Sequence, residues 1–168
     1  MKRIIIFITL GIIGCVCAAQ TPQSAVSPQP AFSIALSPPA GPISAASSID
    51  VKITVQNISG KPISWVADFG DTAYKAFHFS LKKDGHEVET TFFHRKITGK
   101  HRSGDPAEVS GGSAIVSSLA PEESVVQTVD LKHLYQITEP GSYTLEVSRY
   151  DDESSTMVRS TLALTIGP

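Results

Sequence analysis

The sequence predicts an all-β fold, an immunoglobulin-like antiparallel β-sandwich of about seven to nine short strands. Three observations carry this. Apolar residues recur at every second position in several short segments, which is the period of a strand with one buried face. Pro, Gly, Asn and Ser cluster between those segments, where the chain has to turn. The single tryptophan, Trp65, falls early in the pattern, where a large ring anchors the space between two sheets. No segment carries a long amphipathic helical period.

Phe32, Ile34 and Leu36 alternate in a first strand, which stops at Pro38-Pro39 and Gly41-Pro42 because proline donates no ladder hydrogen bond. Ile49, Val51, Ile53 and Val55 then share one face while Asp50, Lys52, Thr54 and Gln56 share the other, the clearest half-buried strand in the chain. Asn57-Ile58-Ser59-Gly60-Lys61-Pro62 supplies a turn into a strand bearing Ile63 and Trp65. Phe77, Phe79 and Leu81 alternate with His78, Ser80 and Lys82 up to Lys83-Asp84-Gly85, a tight hairpin signal. A returning strand is expected from about Glu87 to Phe93, with the Phe92-Phe93 pair marking a bulge or a strand covered on both faces.

Residues 95 to 113 form the longest polar stretch inside the domain and read as a loop, the place where specificity is expected. Ile115 and Val116 suggest a short edge strand, and Val125, Gln127, Val129 and Leu131 resume the alternation. The segment Leu131 to Ile137 fits a single helical turn. After Pro140-Gly141, Tyr143, Leu145 and Val147 alternate with Thr144, Glu146 and Ser148, and Tyr143 fits either a tyrosine corner that bonds back to the preceding connection or an ordinary core or edge position. Val158, Ser160, Leu162, Leu164 and Ile166 share one face of a closing strand.

Ahead of this domain, Lys2 and Arg3 precede an apolar run from Ile4 to Ile13 and then small residues, the layout of a secretory signal over residues 1–19. The run is shorter than the ~20 apolar residues of a membrane-spanning helix, and no later segment approaches that length. Two exits from the leader compete. Cleavage after Ala19 frees a diffusible chain, whereas Ile12-Ile13-Gly14-Cys15 has the look of a lipobox and would leave Cys15 lipidated as a membrane anchor. Residues 20–31, rich in Pro, Ser and Gln, read as an extended tether, and the sandwich is expected over 32–167.

The two cysteines, Cys15 and Cys17, lie in the leader, so no disulfide framework supports the domain and an apolar core must. Loss of Lys2 and Arg3 with the leader turns a formal net charge of −2 into −4. A mildly acidic domain speaks against nucleic-acid binding, which normally shows as a basic surface.

Four segments, SIDVKITVQNISGKPISW, FHFSLKKDGHEVE, LAPEESVVQTVDL and EPGSYTLEV, together resemble the bacterial intracellular proteinase inhibitor (BsuPI-like) family over roughly residues 48 to 148. That family pattern joins a strand ending in Asn-x-Ser to an Asp-Gly hairpin, a Leu-x-Pro-Gly-Glu-Ser turn and a Pro-Gly-x-Tyr corner; Glu122 stands here at the glycine of the third motif. The resemblance implies the same β-sandwich and, as a second functional reading, inhibition of a proteinase through an exposed loop. It assigns no inhibitory residue.

For chemistry, the five histidines His78, His86, His94, His101 and His133 match no metal-ligand spacing, and neither a metal nor a cofactor is expected. Asp151-Asp152-Glu153, even with Asp68 and Asp71, lacks the spacing of a calcium loop and reads as a solvated turn. Gly111-Gly112-Ser113 lacks the Lys of a phosphate loop, and no Gly-x-Ser-x-Gly elbow or His-Glu-x-x-His pair occurs, so no catalytic residue is expected. Asn57-Ile58-Ser59 is formally a glycosylation sequon inside a turn that needs those residues anyway. What stands out is the basic group His94, Arg95, Lys96, Lys100, His101 and Arg102, either a candidate binding surface on an otherwise acidic domain or a solvated loop whose charges keep an edge strand from pairing with neighbours. The expectation is a non-enzymatic binding or interaction module of the bacterial cell envelope, exported to the periplasm or beyond, with a protein or envelope component as its partner.

Overall fold

A computed structural model of the chain describes residues 29–67, 74–106 and 115–168. The leader, Cys15, nearly all of the tether, Asp68, Asp71 and Gly111-Gly112-Ser113 lie outside the described residues. In chain order the elements are β1 (Phe32–Ser37), β2 (Ile43–Ser44), β3 (Asp50–Asn57), β4 (Ile63–Ala67), β5 (His78–Lys83), β6 (His86–Glu87), α1 (Phe92–Thr98), β7 (Ile115–Leu119), β8 (Ser124–Asp130), α2 (Leu131–Leu134), β9 (Gly141–Asp151) and β10 (Thr156–Gly167). The fold is the expected all-β sandwich. Among the described residues no helix is long and apolar enough to cross a membrane.

One sheet has the order β1-β3-β8 and is antiparallel throughout. The other has the order β2-β10-β9-β5-β6, antiparallel except where β2 lies parallel to the end of β10, and β4 pairs with β7 in a separate two-stranded ribbon. Period-two patterning explains the two central strands. In β3, Val51, Ile53 and Val55 are buried while Asp50, Lys52 and Gln56 stay exposed. In β9, Tyr143, Leu145 and Val147 are buried, flanked by Leu164, Leu162 and Ser160 of β10 and by Lys83, Leu81 and Phe79 of β5. Each aliphatic side chain so buried contributes on the order of 1.5–3 kcal/mol, enough to hold the domain without cross-links.

Trp65 is the expected core anchor. It is 2% exposed, meets Phe32 edge-on at 5.9 Å and Phe77 at 6.1 Å, and carries the Arg149 guanidinium 3.9 Å from its ring centroid. Stacking on the indole face lets a cation occupy the inward side of β9. The tyrosine corner is also present: the Tyr143 hydroxyl donates to the Glu139 carbonyl at 2.7 Å. At the hairpin between β5 and β6, Asp84 and Gly85 take φ values of 50° and 84°, the left-handed pair that a two-residue turn needs.

The acidic run at the β9–β10 hairpin is part of the fold. Asp151 is buried and accepts from the Ala31 amide at 2.8 Å and from the Ser154 hydroxyl at 2.6 Å. Burial opposes its charge, but these donors prevail and hold its carboxyl below the ordinary value. Ala31, placed by sequence in the tether, is therefore already packed in the domain.

The structure corrects two expectations. The returning strand over 87–93 shrinks to β6, followed by a single bridge from Thr90 to Tyr135 and then by α1. The stretch read as a loop from residue 95 begins as the second half of that helix. Alternation fails at Phe92-Phe93 because the chain changes period there, not because a strand bulges.

Candidate functional site

Helix α1 is seven residues long and too short to stand alone in water, so its placement depends on its ends and its neighbours. Thr91 caps it, its side chain accepting from the His94 amide at 3.2 Å. The same hydroxyl donates to the His133 carbonyl, and the Thr91 amide donates to the Leu134 carbonyl at 2.9 Å, which roots α1 on α2. Gly99 ends the helix in the left-handed region at φ 68°. An aromatic group braces this corner: Tyr74 meets Phe93 at 5.2 Å, Phe93 meets His133 at 5.7 Å, and the Tyr74 hydroxyl lies 3.2 Å from His133 Nδ1.

Between α1, the entry to β5 and the segment leaving β6 lies a cleft of about 840 Å³. Half-buried Phe79, Val88 and Ile97 give it apolar walls. On its floor the rings of His94 and Tyr135 meet edge-on at 5.0 Å. Both residues are buried, with His94 Nδ1 and the Tyr135 hydroxyl closed off from solvent; the backbones of Leu134 and Leu81 approach them, short of ordinary hydrogen-bond geometry. Burial, aided by the nearby Lys100 charge, lowers the His94 pKa and favours the neutral ring. Burial likewise pushes the Tyr135 hydroxyl up, so it stays protonated.

The rim is charged and mostly tied. Arg95 binds Asp105 through two hydrogen bonds, Nε to Oδ2 at 3.1 Å and Nη2 to Oδ1 at 2.7 Å, and donates from Nη1 to the Thr90 carbonyl at 2.8 Å. Arg102 pairs with Glu89 at 2.8 Å. Glu87 lies 3.5 Å from Lys82. Among the described residues, Lys75 and Lys100 line the cleft, are exposed and form no ion pair.

The six candidates from the sequence thus separate. His94, Arg95, Lys100 and Arg102 line the cleft, whereas Lys96 and His101 do not. His94 is a buried floor residue instead of a solvated one, because the helix turns it inward. Arg95 and Arg102 act as fasteners. Sequence reasoning missed Tyr135, Phe79, Lys75 and Asp105. The one available signal was Thr91 ahead of Phe93, Ile97 and Gly99, a cap, an apolar i, i+4 pair and a stop that together spell a short helix. Among the described residues no group of three or more His, Cys, Asp and Glu side chains is placed to hold a metal ion.

The cleft thus joins apolar walls to rim cations in a concavity of the size that ligand sites have, about 300–1,000 Å³. No family model matches the chain, and no curated protein matches it.

Proposed function

We propose that the protein is an exported, non-enzymatic binding module of the bacterial cell envelope, an immunoglobulin-like scaffold whose cleft beside α1 takes part of a protein or envelope component. The observation that carries this reading is an 840 Å³ cleft walled by Phe79, Val88 and Ile97 and rimmed by Lys75 and Lys100, cations with no ion pair among the described residues. Such a cleft falls within the size range of ligand sites, about 300–1,000 Å³. The scaffold positions it on packed elements, the usual division of labour in sandwich proteins. Export rests on the leader, and the two leader exits give either a diffusible binder or one tethered through Cys15.

The test is hydrogen exchange of the full chain, expressed in a bacterial host, with and without a detergent extract of that host's envelope. Protection concentrated in residues 74–102 supports the reading; protection elsewhere, or none, overturns it. The resemblance to proteinase inhibitors supplies a second reading, in which exposed residues 99–104 after α1 engage a proteinase. Loss of activity in a panel of serine proteinases, with that segment left intact, would select it over the first.

A further inference from the structure

We infer that the cleft selects an amphipathic anion, a ligand with an apolar body and one carboxylate or similar group, over neutral and cationic molecules of the same shape. This rests on the reading of the cleft as a binding site and adds the ligand's chemical class. Charge complementarity is the first ground. The chain as a whole is net acidic at −2, yet Lys75 and Lys100 face this cleft with no ion pair among the described residues. The other rim charges cancel in pairs, Arg95 with Asp105, Arg102 with Glu89 and Glu87 with Lys82. What remains is positive, and a concavity with low-dielectric walls focuses that field on anything entering it.

The second ground is the depth of the apolar wall. Phe79, Val88 and Ile97 are half-buried and turn carbon surface to the cleft, so a bare inorganic anion would leave that surface wet while an anion with an apolar body covers it. Anion at the rim and carbon along the wall describe one amphipathic ligand.

The probe is 3-phenylpropionate, titrated into the purified full chain and followed by amide chemical shifts, beside 3-phenylpropanol, 2-phenylethylammonium and acetate. Saturable shifts at Val88, Ile97 and Lys100 with the propionate, and binding at least about ten-fold weaker for the other three, are expected from one desolvated charge contact plus the ring. The Lys75→Gln/Lys100→Gln double variant should lose about five-fold or more in propionate affinity, while Lys52→Gln on the exposed face of β3 should not change it. If 3-phenylpropanol binds as tightly, or the double variant binds propionate as well as the parent, anion selection is overturned. Should cleft protection by the envelope extract persist in that case, the binding reading stands without it. If no probe shifts cleft resonances, the inference falls outright.

Discussion

Arg95 grips the Asp105 carboxylate with both prongs of its guanidinium, at 3.1 Å from Nε to Oδ2 and 2.7 Å from Nη2 to Oδ1. The carboxylate also accepts from the Arg102 amide at 2.8 Å, so a single acid folds the chain that leaves α1 back onto the helix. A lysine has no fork with which to reproduce this, and an asparagine has no charge. Arg95→Lys and Asp105→Asn are each expected to speed hydrogen exchange over residues 99–106 at neutral pH while leaving the sheets protected. The Arg95 hydrogen bond, with the Arg102 amide behind it, holds the Asp105 carboxyl down from 3.8 to about 2. A folded value below the unfolded one means that the contribution is present above 3.8 and is lost as pH falls toward 2. The difference in unfolding midpoint between the parent and Asp105→Asn should therefore close over that interval; a difference that closes near neutrality would refute the clamp.

His94 titrates in the opposite part of the scale with the same sense. Burial first, and the Lys100 charge second, lower its pKa from 6.5, so folding favours the neutral ring. The Leu134 backbone offsets this only in part, Tyr135 stays protonated at its edge, and Arg95 beside it on α1 is already paired with Asp105. Stability is then full above 6.5 and declines as pH falls through the folded value. Urea midpoints should drop on acidification from pH 7 to pH 5, with exchange rising first in α1. His94→Phe keeps a ring against Tyr135 and should flatten that slope; an unchanged slope would show that another group is responsible.

Much of the sandwich was legible because half-buried strands write their burial into alternate residues. Val51, Ile53 and Val55 were read correctly for that reason, as were Tyr143, Leu145 and Val147. Trp65 was legible because a ring of that size has few other uses, whereas Tyr143 suited a corner or an ordinary core position until its bond to the Glu139 carbonyl decided. The cleft was only partly legible. Its basic residues drew attention as a group, but composition does not say that Arg95 and Arg102 are spent on Asp105 and Glu89, partners 10 and 13 residues away. Nor does any local pattern bring Tyr135 beneath His94. Helix α1 was hidden by its two phenylalanines, which suit a strand as well as a helix, until tertiary contacts with α2 decide.

Asn57 fixes the end of β3. It is fully buried, its Nδ2 donating to the Lys61 and Leu119 carbonyls at 2.9 Å each and its Oδ1 accepting from the Ser59 amide and hydroxyl at 2.9 and 2.7 Å. All its hydrogen-bonding capacity is used, and an amide so enclosed offers no nitrogen to a glycosylating enzyme despite the sequon. Expression of the folded domain in a glycosylating host should give an unmodified mass at this site. Asn57→Ala strands the buried Leu119 carbonyl and loosens the turn, where the Ser59 amide keeps the Ala31 carbonyl and the Lys61 carbonyl keeps the Ser59 hydroxyl, with an expected loss of about 1–3 kcal/mol in denaturant unfolding. Asn57→Asp should cost at least as much, since a carboxylate cannot donate to either carbonyl. A loss under about 1 kcal/mol for both would mean that the turn holds its shape without this side chain.

Glu122 sits at φ 64°, in the left-handed region, at the second central position of the turn from Ala120 to Glu123, whose closing hydrogen bond runs from the Glu123 amide to the Ala120 carbonyl at 3.1 Å. Pro121 suits the preceding position, and the pair defines a turn in which glycine is the unstrained residue. The resemblance noted in the sequence has glycine there as well. Only backbone ties hold Glu122, its amide to the Asn57 carbonyl at 3.0 Å and its carbonyl to the Gln56 side chain at 3.4 Å, so removal of its side chain breaks no contact of this turn. Glycine relieves the strain of a side chain in this region, about 1–2 kcal/mol, and returns part of it as greater freedom of the unfolded chain. Glu122→Gly should therefore stabilise the domain by about 0.5–1 kcal/mol in urea unfolding, against the usual trend for glycine. Glu122→Ala, which keeps a Cβ at the same φ, should give none of that gain. A destabilised glycine variant would mean that the turn relaxes to a different geometry in solution.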